Sequence, residues 1–245
     1  MRTAVAIACV LSVSAGITGE ASRQDADDPS RKTSASATLM IDRFLSSGMP
    51  PLTSCKARRT LTASTMGGRL RASMQAWTYL EPDGRFHFDV IRQDGSELIV
   101  EHVLVAALEA EQRNQNGHER SQTELTAVNY EFQVNDDTRE DGLLSIRLFP
   151  RRKTPMLLDG TVIVTPHDGD IVRIQGSPAK PPSWWTTRVD IVRHYARIAG
   201  VRVPVEMSSR AKVRIAGEAT FSMTYDYMMI NGQAVGNGLV DARSR

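Results

Sequence analysis

The sequence is short of cysteine and of lysine, with two and five in 245 residues. Cys9 sits inside an N-terminal apolar run. A chain that has lost that run keeps Cys55 alone and forms no internal disulfide, so its core must hold the fold. Aromatic residues make up 6% of the chain, with three tryptophans, and the formal net charge is +2. Loss of residues 1–21 removes Arg2 and Glu20, so the charge stays there. A chain so near neutrality carries no electrostatic footprint for nucleic acid. The basic run "FPRRK" at 149–153 reads as a solvated hairpin end.

Signatures of chemistry are also missing. There is no Gly-rich phosphate loop, no His-Glu-x-x-His, no Cys-x-x-Cys and no Gly-x-Ser-x-Gly elbow. His87, His102, His118, His167 and His194 never fall at spacings that put two ligands on one face. "PHDGD" at 166–170 lacks the further oxygens a calcium loop needs. The sequence therefore assigns no catalytic residue, no metal ligand and no cofactor.

What is present begins with an export signal. Arg2 precedes the apolar run Ala4 to Ala15, and small residues follow, with cleavage sites after Ala15 or Ala21. The run is too short for a bilayer span of about 20 residues. No cysteine follows it for lipid anchoring, so the expected product is soluble, in the periplasm or secreted. Residues 1–21 are read as the signal peptide and 22–36 as a polar, flexible lead-in. A single domain is expected over 37–232, with a flexible tail at 233–245.

Periodicity then assigns elements. Met40, Ile41, Phe44 and Leu45 cluster at helical spacing within Ala37 to Ser47. From Arg69 the period becomes two. Leu70, Ala72, Met74, Ala76, Thr78 and Leu80 share one face, with Trp77 and Tyr79 on the other. Pro82-Asp83-Gly84 turns the chain into a strand that carries Phe86, Phe88 and Val90. Val100, Val103, Leu104, Ala107 and Leu108 return to helical spacing within Glu97 to Gln112. Beyond Thr123 nearly everything alternates, through hairpins at Asp168-Gly169 and Ala199-Gly200, ending with Ala219, Phe221, Met223, Tyr225 and Tyr227 on one face. Residues 188–207 fit a helix almost as well as a strand; the β-branched arms around Ala199-Gly200 favour a strand. The fold class expected is mainly β with two helices (α+β): a strongly curved, partly open antiparallel β-barrel of roughly ten strands, covered by helices.

Trp184 and Trp185 stand side by side after Pro181 and Pro182. If strand alternation begins there, one ring must face outward or sit at an opening, since full exposure forfeits about 2–3 kcal/mol of burial. Methionine recurs on the predicted elements, as it does where binding surfaces adapt their shape. Trp77, Phe86, Phe88, Trp184 and Trp185 are accordingly the candidate ligand-binding residues, for an apolar guest.

The segments "ARR" (57–59), "LLDGTVIVTPHDGDIVRIQG" (157–176), "KPPSWWTTRVDIVRHYARIAGVRVPVEM" (180–207) and "FSMTYDYMMING" (221–232) carry a resemblance. In them and in its order of elements the chain resembles the LolA/LolB/RseB-like group of bacterial envelope proteins, and more closely secreted proteins related to outer-membrane lipoprotein-sorting factors. The resemblance covers roughly 37–232. It implies an unclosed barrel with a helical lid over an apolar cavity for acyl chains, and no catalytic residues. Arg58, Arg59 and Arg69 all remain open for the arginine that locks the carriers' lid. Three readings follow. The first is a non-catalytic carrier of a lipid, a lipoprotein acyl chain or another apolar ligand, in transient contact with membrane or envelope proteins. The second is a ligand-free envelope interaction or stress-sensing module. The third is a hydrolase built on a polar cluster such as Tyr79, His87 and Asp89.

Overall fold

The computed structural model describes residues 39–42, 44–45, 50–116, 123–135, 142–184, 186–214 and 217–236. The expected signal peptide, the lead-in, Trp185 and His118 lie outside the described residues.

The protein is mostly antiparallel sheet with two helices. The strands are β1 (Cys55–Thr65), β2 (Leu70–Leu80), β3 (Phe86–Gly95), β4 (Tyr130–Asn135), β5 (Leu144–Pro150), β6 (Leu158–Val164), β7 (Ile171–Pro178), β8 (Thr186–Ile198), β9 (Val201–Val213), β10 (Gly217–Ile230) and the short β11 (Gln233–Ala234). Their order is β3-β2-β1-β10-β9-β8-β7-β6-β5-β4, with β11 on β10. Two antiparallel meanders, β1–β3 and β4–β10, are thus joined where β1 pairs with β10. Among the described residues the sheet does not close, and β3 and β4 are its edges. β1 was not assigned from sequence, and the first two residues of the expected tail form β11.

Alternation sets the two faces. On β1, Ala57, Arg59, Leu61 and Ala63 are buried while Arg58 and Thr62 are exposed. On β10, Ala219, Phe221, Met223, Tyr225 and Tyr227 are buried. The register carries one buried row across the inner face: Met74, Leu61, Met223, Met207, Arg193, Ile174, Val162 and Ile146 are successive cross-strand partners on eight strands. Side chains so aligned interdigitate with their neighbours on the next strand, the unit of sheet stability.

The second helix, α1, is one helical run with three parts: an α turn Glu97–Ile99, a π-helical stretch Val100–Val105 and an α-helix Ala106–Asn116. It lies against β1, β2 and β3 and buries Ile99, Val100, Leu104, Ala107 and Leu108. Alanines at 57, 63, 72 and 76 on the facing strands leave room for it. Gly95 (φ 96°) makes the turn from β3 into α1, where a Cβ would lie 2.3 Å from the Arg71 carbonyl oxygen. Residues 39–42 and 44–45 are helical, and Phe44 packs edge-on against Phe132 of β4 with centroids 5.6 Å apart.

Gly160 and Gly176 face each other across β6 and β7. A Cβ on Gly160 would sit 2.1 Å from the backbone oxygen of Gln175, and one on Gly176 2.4 Å from that of Asp159. Both obstacles are backbone, so no side chain can yield. Gly160→Ala should therefore lower stability by about 2–4 kcal/mol, as overpacking and lost pairing combine. Gly84→Ala, at a turn with open space around it, should cost about 1 kcal/mol from its positive φ alone. Urea unfolding of the two variants checks this; equal midpoints would contradict it.

Candidate functional site

The inner face carries a polar island in an apolar field. Arg59 of β1 points inward at 4% exposure. Its two terminal nitrogens donate to the two Glu111 oxygens of α1 at 2.5 and 3.0 Å, a bidentate, charge-assisted pairing. The guanidinium lies over Tyr225, 4.6 Å from its centroid, and over Phe86 at 5.1 Å. One nitrogen also approaches Met223 Sδ at 3.8 Å. Three strands away Arg193 is 7% exposed and donates to Met207 Sδ at 3.3 Å.

These groups form one electrostatic unit. Burial by itself pushes the Arg59 guanidinium down, but Glu111 and Tyr225 outweigh it and hold the charge firmly in place. Arg193 is likewise opposed by burial and then held charged, by Tyr195, Tyr225 and Glu111. Burial keeps the Tyr225 phenol neutral, with the two arginines pulling the other way. Tyr227 is pushed well up, chiefly by burial; its hydroxyl donates to the Pro204 carbonyl at 2.9 Å. Cys55, at the start of β1, is raised to about 11 by burial, against the lowering pull of Arg59.

Polar contacts also secure the end of α1. Gln112 donates to the Phe86 carbonyl at 3.1 Å, and Asn116 accepts from the Phe86 N–H at 2.8 Å. The π-helical stretch lies over β1 and β2. Such a run is rare and frequently falls at a functional site. Beneath the helix, Met74 and Met223 supply unbranched, adaptable side chains.

The aromatic residues named from sequence divide between faces. Phe86 is buried on the inner face, and Phe88 packs half-buried beside it. Trp77 is half-buried on the outer face, with Lys56 Nζ 4.9 Å from its centroid. Trp184 is 66% exposed. Tyr79 stacks on His87 at 4.6 Å on the outer face, and Asp89 is exposed there too. Of the three arginines left open, Arg58 pairs with Asp226 on the outside at 2.7 Å, Arg69 is exposed, and Arg59 alone bonds α1. Sequence reasoning missed Glu111 and Arg193. An arginine at an inward position of an alternating strand was the available signal.

An open depression of about 470 Å³ lies at the far end of the β1–β2 hairpin, lined by Thr62, Ser64, Arg71, Ser73, Asp94 and Thr220. Ala63, Ala72, Gly68 and Gly95 complete its lining. Among the described residues no group of acidic, histidine or cysteine side chains could hold a metal ion, and no helix is long and apolar enough to cross a membrane.

Two outcomes follow. Glu111→Ala leaves the buried Arg59 without its carboxylate and should cost about 3–5 kcal/mol, whereas Arg59→Met with Glu111→Leu should cost far less. Urea midpoints decide it; equal losses in the single and the double variant would contradict the pairing. The Cys55 thiol, raised in the fold, favours the folded state below the ordinary thiol range and loses that contribution as pH climbs through about 11. Native protein at pH 8 should thus alkylate at least about tenfold more slowly than urea-unfolded protein. Equal rates would contradict it.

No protein-family model matches the sequence, and no curated protein does. Solved structures similar to this chain include an outer membrane lipoprotein-sorting protein domain from Vibrio parahaemolyticus. It shares 10% identity, with a TM-score of 0.42 over 84% of this chain and 95% of that one. A DUF1329 family protein from Desulfovibrio piger shares 9% identity, with a TM-score of 0.39 over 82% and 92%. A structure of the Pseudomonas aeruginosa MucA/MucB complex shares 11% identity, with a TM-score of 0.23 over 79% and 94%.

Proposed function

We propose that the protein is an exported envelope carrier that holds an apolar ligand, a lipid or a lipoprotein acyl chain, between α1 and the inner face of a curved, partly open sheet. It does so without catalysis. The observation that carries this reading is the way α1 is fastened. Ile99, Val100, Leu104, Ala107 and Leu108 of α1 pack into the core. Set among those apolar contacts are one buried ion pair, Arg59–Glu111, and side-chain amide contacts at Phe86. A buried pair adds little net stability over apolar residues of the same volume, because desolvation offsets its attraction. It sets the position of α1 without adding much to its adhesion.

The surface beneath suits a guest. Met74, Met223, Leu61 and Phe86 lie on the inner face with α1, with Phe88 at its margin. An alkyl chain inserted there would exchange contacts with α1 for contacts with itself, at about 25 cal/mol per Å² of apolar area buried. The π-helical turn is a natural place for the helix to yield. On this reading Phe86 and Phe88 line the guest's path, Trp184 lies at an entrance, and Trp77 lies on the far side of the sheet.

Loosening the clamp should open the site. Glu111→Gln keeps the volume and a hydrogen-bond acceptor but removes the charge, and should raise the uptake of a fluorescent naphthylamine probe by about threefold or more. Phe86→Ala in the same background should lower it again. Probe fluorescence unchanged by both substitutions would contradict a ligand space under α1.

A further inference from the structure

The free edge of β3 has a pattern of its own. Asn116 accepts from the Phe86 N–H, and both Asn116 and Gln112 donate to the Phe86 carbonyl. Side-chain amides of α1 thus occupy Phe86 as a neighbouring strand would. The same contacts fix the parity of the strand: the backbone groups of Phe86 point away from β2, and so do those of Phe88. At the other end Ser96 N–H donates to the Arg71 carbonyl at 2.9 Å, which turns Gly95 and Gln93 outward. Between them Ile91 is the extra residue of a bulge, since Val90 opposes Ala76 and Arg92 opposes Gln75. Among the described residues no hydrogen bond reaches the outward backbone of Phe88 or Gln93. Val90 and Ile91 are 42% and 47% exposed, large apolar side chains on an edge that no described strand covers.

We propose that β3 pairs antiparallel with β3 of a second copy of this chain, about a two-fold axis between Val90 and Ile91. A strand fits itself only if its residues are complementary about the axis. This one is. Phe88 falls opposite Gln93, so the outward backbone groups meet. Asp89 falls opposite Arg92 with opposite charge, His87 opposite Asp94, and Val90 opposite Ile91. A slip of one residue sets outward groups against inward ones. A slip of two sets Asp89 against Asp94 or His87 against Arg92. The pairing keeps α1 of both copies on the same face of one continuous sheet and leaves the Arg59–Glu111 clamp untouched, so it stands or falls apart from the carrier reading.

The test uses charge reversal at exposed positions, which spares the fold. Sedimentation velocity of the mature chain over a wide concentration range should show reversible dimerisation. Asp89→Arg alone, or Arg92→Asp alone, replaces two attractive cross-strand pairs with two repulsive ones and should weaken self-association about tenfold or more. An equimolar mixture of the two variants restores opposite charges at every pair and should dimerise like the parent. A parent chain that stays monomeric throughout, single variants that associate as the parent does, or a mixture that fails to recover would each overturn the proposal. So would a monomer that binds an extended peptide or lipid vesicles through this edge.

Discussion

The buried Arg59–Glu111 ion pair sets how α1 sits on this protein's inner face. Arg59 extends from the centre of the sheet and Glu111 comes down from α1. Neither charge would tolerate burial without the other. Satisfying both fixes the height and rotation of the helix over β1 and β2. The alanines opposite the helix and the cation–π stack of Tyr225, Arg59 and Phe86 then follow as the packing that this geometry admits.

The rest of the inner face is built around the same island. Arg193 stands in the row of Met74, Leu61, Met223 and Met207, and shares Tyr225 and Glu111 with Arg59 as electrostatic neighbours. Sulfur and phenol groups lie beside both guanidiniums as polarizable partners. The outer face has a different character. Its cross-strand pairs are hydroxyls and exposed ions, such as Thr62 with Ser222 and Arg58 with Asp226, which add little to stability. The sheet's two faces thus differ, one meeting solvent and one meeting the helix.

Much of the fold was legible because alternation is a strong signal where one face is buried. Leu70 to Leu80 and Ala219 to Tyr227 were assigned to their correct faces from the sequence, and both helices were located. β1 went unassigned for a physical reason: its inward position 59 is an arginine, which breaks the apolar rhythm. The same substitution of charge for apolar residue at Arg193 made residues 188–207 ambiguous. The clamp therefore lay where the pattern failed. The partnership of Arg59 with Glu111 was not readable, because fifty-two positions separate them and the contact depends on how α1 docks. Trp77 was on the expected side of its strand, but which side would face the helix is a tertiary fact.

Amide hydrogen exchange across α1 tests the central claim most directly. If α1 is a lid seated by the Arg59–Glu111 pair, its amides should exchange through an opening that leaves β1, β2 and β10 protected, and Glu111→Gln should speed exchange in α1 alone. Exchange of α1 in step with the central strands, unchanged by Glu111→Gln, would show a helix that opens only when the whole protein unfolds, and would contradict the account.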